Sequence, residues 1–189
     1  KTWKALYPNS KILSTDTGFS RNYDNYPYGP YKTSQTYFIF QPSIFNEALP
    51  NKERIYAIID NDESKIYQFT DFENGNVIKD SFKGINYLIT GNDNIIKAFK
   101  LTTEQSSLNF SYNFNNSESF FEDNEGNKWS VFGKAIEGPR TGEQLTPAKS
   151  VISYWFAIAV FYPNPEIYNP WLNCKSIFDA ILKIRLQLN

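Results

Sequence analysis

The chain has 189 residues, of which 41% are hydrophobic and 17% aromatic, and a formal net charge of −1. That size and apolar content suit a packed domain and exclude wholesale disorder, while the near-neutral charge supplies no field to steer nucleic acid or an anionic membrane. Histidine is absent and Cys174 is the only cysteine, which excludes Ser-His-Asp and Cys-His catalysis within the chain, an internal disulfide and a multi-cysteine zinc site. No metal and no cofactor is expected.

The chain opens on KTWKALYP, without the pattern of a signal peptide, and contains no run of about 18 apolar residues of the kind that spans a bilayer. Residues 1–14 read as a helix end followed by a strand. Residues 15–31, TDTGFSRNYDNYPYGPY, have no hydrophobic periodicity but are dense in chemistry. Asp16-Thr17-Gly18 suits an Asx-type turn with Gly18 at positive φ. Arg21 is placed to pair with Asp24, and Tyr23, Tyr26, Tyr28 and Tyr31 are able to lay their rings over a core edge with the hydroxyls outward. The same residues would equally line a site for a small molecule, glycan or peptide. In the absence of histidine, any general acid or base here is a carboxylate or a tyrosine.

TYFIF (36–40) predicts a short strand before a proline-bounded loop. From residue 54 to 130 the pattern is of short strands punctuated by turns. RIYAIID (54–60) and KIYQF (65–69) flank NDES, and Asn74-Gly75 marks a tight turn before NVIKDSF (76–82). INYLIT (85–90) and NIIKAFKL (94–101) flank GND. In LNFSYNF (108–114) Leu108, Phe110, Tyr112 and Phe114 fall on one face. SFFEDNEGNKWSVFG (119–133) reads as strand, turn, strand, with Trp129 in the core; Glu137 precedes the rigid pair Gly138-Pro139. The acidic tip formed by Asp60, Asp62 and Glu63 lacks calcium-loop spacing and reads as a solvated turn.

Helices are expected late. SVISYWFAIAVFY (150–162) is too long and too apolar for an ordinary strand; Ser150 stands at its start, Pro163 at its end, and its nearly all-round apolar surface predicts burial on most sides. CKSIFDAILKIRLQL (174–188) places Ile177, Ile181 and Ile184 on one helical face, with Leu188 nearby. The fold class that follows is α+β, predominantly β: antiparallel strands in a sheet, sandwich or partly open barrel, packed against one buried helix with a second helix at the C-terminus. Residues 15–168 form a single β-rich domain, and 169–189 are a tail read as helical.

The chain also echoes itself. YPNSKIL begins at Tyr7 and YPNPEIY at Tyr162, each after helix-compatible apolar residues. That separation is too long for a solenoid repeat and suits two tandem copies of one domain.

Four stretches together resemble the prokaryotic domain-of-unknown-function family 3179: ILSTDTGFSRNYDNYPYGPY (12–31), LPNKERIYAI (49–58), EDNEGNKWSVFGKAIEGPRTGEQLTP (122–147) and YWFAIAVFYPNPEIY (154–168). The run from Asp123 to Pro139, Asp-x-x-Gly-x-x-Trp-x-x-x-Gly-x-Ala-x-x-Gly-Pro, is the most specific. The resemblance implies a member with two related halves, of which this chain corresponds to the second. It also implies an extracytoplasmic or secreted protein and, in longer members, a Cys-Pro-x-Cys-Gly motif in the first half that this chain lacks. It implies no activity.

The candidate ligand-binding residues are therefore Asp16, Arg21, Tyr23, Asp24, Tyr26, Tyr28, Tyr31, Trp129 and Glu137. The leading reading is a non-catalytic binding or structural module with an aromatic-rich surface, whose partner is a small molecule, glycan or protein, including a related upstream repeat. The alternative is a carboxylate-dependent hydrolase drawing on Asp16, Asp24, Asp123 and Glu137, its site incomplete without an upstream half. A third is a subunit that docks through the helix at 174–188.

Overall fold

The alternating and fully apolar strands of the middle region build three four-stranded sheets that stack on one another. The structure, a computed structural model, describes residue 4, residues 7–114 and residues 118–170. The first sheet has the order β11(Ser150–Tyr154)-β1(Arg54–Asp60)-β2(Glu63–Gln68)-β12(Glu166–Ile167). The second is β10(Thr146–Pro147)-β5(Ile96–Leu101)-β4(Ile85–Gly91)-β3(Asn76–Phe82), and the third is β6(Phe110–Tyr112)-β7(Ser119–Asp123)-β8(Lys128–Ser130)-β9(Ala135–Glu137). All pairs are antiparallel except β12, which lies parallel to β2. The α+β, predominantly β class is thus realised as a layered stack of open sheets.

Side-chain parity explains the layering. Tyr56, Ile58 and Tyr67 of the first sheet meet Ile78, Phe82, Tyr87, Ile89, Ile96 and Ala98 of the second. The opposite face of the second sheet, through Leu88, Phe99 and Leu101, meets Phe120, Phe121, Trp129 and Ala135 of the third. The outer face of the first sheet, Ile55, Ala57 and Ile66, is covered by α1(Trp155–Phe161) through Trp155, Ile158 and Ala159. The second sheet is buried on both faces, which is why Tyr87 to Gly91 is buried at every position rather than at alternate ones. Each ring sealed in these layers contributes on the order of 2–3 kcal/mol by burial.

The strands expected between 54 and 101 and the hairpin of 119–133 form close to their sequence bounds, and Asn74 and Gly75 both take positive φ. Of the 108–114 face, Leu108 is buried and Phe110, Tyr112 and Phe114 pack against the second and third sheets.

Two expectations are corrected. TYFIF (36–40) makes no strand: its polar neighbours leave no face to pair, and Phe38 docks by its ring against Phe45 and Phe156 instead. The 150–162 run is not one helix. Residues 150–154 pair with β1 as an edge strand, and only Trp155–Phe161 is helical. The β-branched Val151 and Ile152 favour the strand; Tyr154, still extended, caps the helix without a side-chain bond, and Ser150 plays no capping part. Nor is the helix buried all round, since Phe161 is 77% exposed. The expected helix at 174–188 and the helix end before Tyr7 lie outside the described residues, apart from Lys4. Among the described residues no helix is long and apolar enough to cross a membrane.

Candidate binding site

The Asp123–Pro139 run is built as a structural knot. Asp123 ends β7 and is nearly buried. Its carboxylate accepts from the Trp129 indole Nε1 at 2.8 Å, the Asn127 backbone N at 3.1 Å and side-chain Nδ2 at 3.0 Å, and the Glu125 N at 2.9 Å. Asn127 in turn accepts from the Arg140 N through Oδ1 at 2.7 Å. Gly133, at φ +74°, lies where an added Cβ would stand 2.4 Å from the Phe99 ring, and at Gly138 a Cβ would stand 2.6 Å from Asn127 Oδ1. Trp129 is fully buried and stacks on Phe121. Beyond the knot, the Arg140 guanidinium pairs with Glu104, Glu125 and Glu143, which holds it above its ordinary range, Glu125 contributing most. Glu137 is exposed on β9 and pairs with Lys128 at 2.8 Å. Of the candidate residues, Trp129 therefore serves the core and Glu137 a surface ion pair.

A second buried cluster bridges the first two sheets. Lys65 on β2 and Asp80 on β3 point into the layer between them and pair at 2.7 Å, both nearly buried. Lys65 also reaches Glu166 of β12 at 2.7 Å and the Ser81 carbonyl, and Tyr67 donates to Asp80 at 3.0 Å. Burial pulls the Lys65 ammonium down, but Asp80 and Glu166 outweigh it and the net shift is upward. Burial, then Asp80, pushes the Tyr67 phenol far up. Every charge in this cluster is satisfied, so it pins β12 to the stack and leaves no group free for chemistry.

The 15–31 segment lies on the surface, with one short 3-10 turn over Gly29–Lys32. Gly18 takes positive φ as expected, yet the Asp16 backbone N donates to Ser14 Oγ and the Asp16 carboxylate closes no turn. Arg21 lies over the Phe19 ring at 5.8 Å rather than against Asp24, whose own N donates to Asn22 Oδ1. The Tyr23 hydroxyl meets Thr17 Oγ1 at 2.7 Å, Tyr26 and Tyr28 touch edge to face, and Lys32 stands 4.2 Å over Tyr26.

Tyr31 behaves differently: its ring turns inward. It meets Tyr154 edge to face at 6.1 Å, Tyr154 stacks on Phe156 at 6.3 Å, and Phe156 contacts Phe38 at 5.0 Å. Inside this ring of four sits the Lys52 Nζ, at 3.5 Å from the Tyr31 centroid, 4.6 Å from Phe38 and Phe156, and 5.4 Å from Tyr154. Lys52 is 6% exposed, and its ammonium, cut off from solvent, has no hydrogen-bond acceptor. Burial lowers its pKa. Tyr31, Tyr154 and Phe156 also line a cleft of about 360 Å³ completed by Arg54, Ile152, Ser153 and Ala157.

Of the sequence-derived candidates, then, Tyr31 alone lines this cleft; Phe38, Lys52, Tyr154 and Phe156 were not anticipated. The signal for the last two was present. Tyr154 and Phe156 diverge on a continuous helix but come together when the chain changes from strand to helix at Trp155.

Three stacked open sheets, a helix on the outer face and an aromatic cleft at the strand–helix junction define a layered β-rich domain with a preformed concave surface. The chain matches the protein-of-unknown-function family DUF3179 over residues 1–165 and belongs to that family. No curated protein and no solved structure matches it.

Proposed function

We propose that this domain is a non-catalytic binding module that works through the aromatic surface spread over residues 19–45 and the cleft at Tyr31, Tyr154 and Phe156. One observation carries the reading: along this one segment several large apolar rings stand in solvent, Phe40 at 86% and Phe19 at 71% exposed, whereas most rings of strands β1 to β8 are packed between the sheets. Phe45, Tyr28 and Tyr23 extend the same surface. Exposed aromatic area of this kind suits stacking on a glycan ring or packing against an apolar peptide.

The hydrolase alternative draws no comparable support. Asp123 is saturated by donors, Glu137 is held by Lys128, and the Asp16 and Asp24 carboxylates sit on an exposed loop.

The internal echo supports a tandem arrangement. Aligning Pro8 with Pro163 sets Lys11-Ile12-Leu13 against Glu166-Ile167-Tyr168, the stretch that adds β12 to β2. Here Ile12 and Leu13 are 93% and 98% exposed. In this reading they form the closing strand of a related upstream half, in a protein that works outside the cytoplasm. A calorimetric panel of neutral oligosaccharides and envelope peptides tests the binding function; the reading expects at least one ligand with Kd below about 1 mM, and fails if none reaches it.

A further inference from the structure

The box around Lys52 has a chemical preference that its own occupant meets poorly. Four aromatic faces offer a cation only quadrupole attraction, within about 6 Å of each centroid. A primary ammonium brings three N–H donors, and here the buried Nζ finds no acceptor on the protein. A cation that carries methyl groups in place of N–H bonds leaves no donor unpaired on entering such a box. Its larger, softer surface suits the rings 4.6 to 5.4 Å from the central nitrogen, while Tyr31, at 3.5 Å, would draw back by about 1 Å to admit it. Lys52 is also able to leave. It sits on the loop before β1, anchored by its backbone N to Gln35 Oε1 at 2.8 Å, so its side chain can swing out without unfolding a strand. Tyr31, Tyr154 and Phe156, three of the four rings of the box, also line the 360 Å³ cleft, so movement of these rings alone would join cleft and box.

We propose that Tyr31, Phe38, Tyr154 and Phe156 form a binding site for a quaternary ammonium group, with Lys52 as the internal cation that such a ligand displaces. This rests on the reading of the aromatic surface as a contact surface and names the chemistry at its concave end. Lys52 then acts as a competitor in cis: it keeps the rings preorganised and sets a threshold that favours a permanently charged, fully alkylated ligand over ordinary amines.

Tetramethylammonium chloride is the probe, with ammonium chloride at matched ionic strength as control. In the wild-type protein the Lys52 ε-methylene protons should resonate well upfield, under the currents of four rings, and tetramethylammonium should return them to the ordinary lysine position while ammonium does not. Lys52→Ala should bind tetramethylammonium at least tenfold more tightly than wild type, and Tyr154→Leu in that background should abolish binding. If Lys52→Ala does not fold, the wild-type titration decides by itself. A lysine resonance unmoved by 100 mM tetramethylammonium, or moved equally by both salts, overturns the proposal. So does a folded Lys52→Ala protein that binds no better than wild type. Because the probe engages only the box, these failures leave glycan or peptide binding at the outer rings untouched and separately testable.

Discussion

The indole Nε1 of Trp129 donates to Oδ2 of Asp123 across 2.8 Å, joining the first residue of the Asp123–Pro139 run to its tryptophan inside one hairpin. Around this bond the spacing of that run acquires a physical meaning. The aspartate gathers the amides of the turn, the tryptophan stacks beneath it on Phe121, and Gly133 and Gly138 leave room for Phe99 and Asn127. The motif specifies a fold.

Asp123→Ala removes a nearly buried carboxylate with several donors, which are left unsatisfied in the low-dielectric layer. With charge-assisted bonds worth about 1.5–3 kcal/mol each and not additive, a loss of about 3–5 kcal/mol is expected. Urea denaturation followed by Trp fluorescence reads it directly; a loss below about 1 kcal/mol would show that the knot is decorative.

Gly133→Ala combines a left-handed backbone with a 2.4 Å approach to Phe99, in a layer where the ring has no space to retreat. A cost of about 2–4 kcal/mol is expected, against less than about 0.5 kcal/mol for Ala in place of exposed Glu118. Parallel thermal melts of the two variants settle the contrast.

The Lys65–Asp80 pair separates buried from exposed electrostatics. Asp80→Ala leaves a nearly buried ammonium with only the half-exposed Glu166 and the Ser81 carbonyl, takes the acceptor from the Tyr67 hydroxyl, and should cost about 3–5 kcal/mol. Glu166→Gln, by contrast, acts on a half-exposed carboxylate and should cost below about 1 kcal/mol. Comparable losses at the two positions would contradict the assignment of Asp80 as the principal partner.

Alkaline pH should loosen the stack. Tyr67, Tyr56 and Tyr87 are held above the ordinary tyrosine value of 10.0, chiefly by burial, and Lys65 above 10.5 by its carboxylate partners. A raised folded-state pKa means that the unfolded chain releases these protons first. The stability they contribute is fully present below about pH 10 and drains away as pH rises beyond it. Lys52, lowered by burial, runs the other way and offsets one group's share. Urea midpoints measured between pH 8 and 11 should fall from about pH 10 upward; a rising midpoint would reverse the sign.

Much of this architecture was legible in the sequence, and its limits have definite causes. The hairpins between 54 and 101 declare themselves because each pairs β-branched or aromatic runs with a short polar turn, as at Asn74-Gly75. The stacking of three sheets was not legible, because a strand buried on both faces, such as β4, loses the alternation that tells one side from the other. The 150–154 strand was hidden by composition: an apolar run continuous with α1 looks like one element until pairing with β1 divides it. That hidden junction is also where the cleft lies. The 15–31 tyrosines drew notice by density, yet only Tyr31 turns inward, and its orientation depends on Lys52 and Tyr154, which no local pattern connects to it.

The most direct test of the binding reading compares wild type with a Phe19→Ser/Tyr28→Ser/Phe40→Ser variant by calorimetric titration of the tightest ligand in the oligosaccharide and peptide panel. Because these rings stand in solvent, the variant should keep its urea midpoint to within about 0.5 kcal/mol of stability and lose at least tenfold in affinity. A variant that binds as tightly as wild type, or that unfolds because these rings belong to the core, would contradict the account.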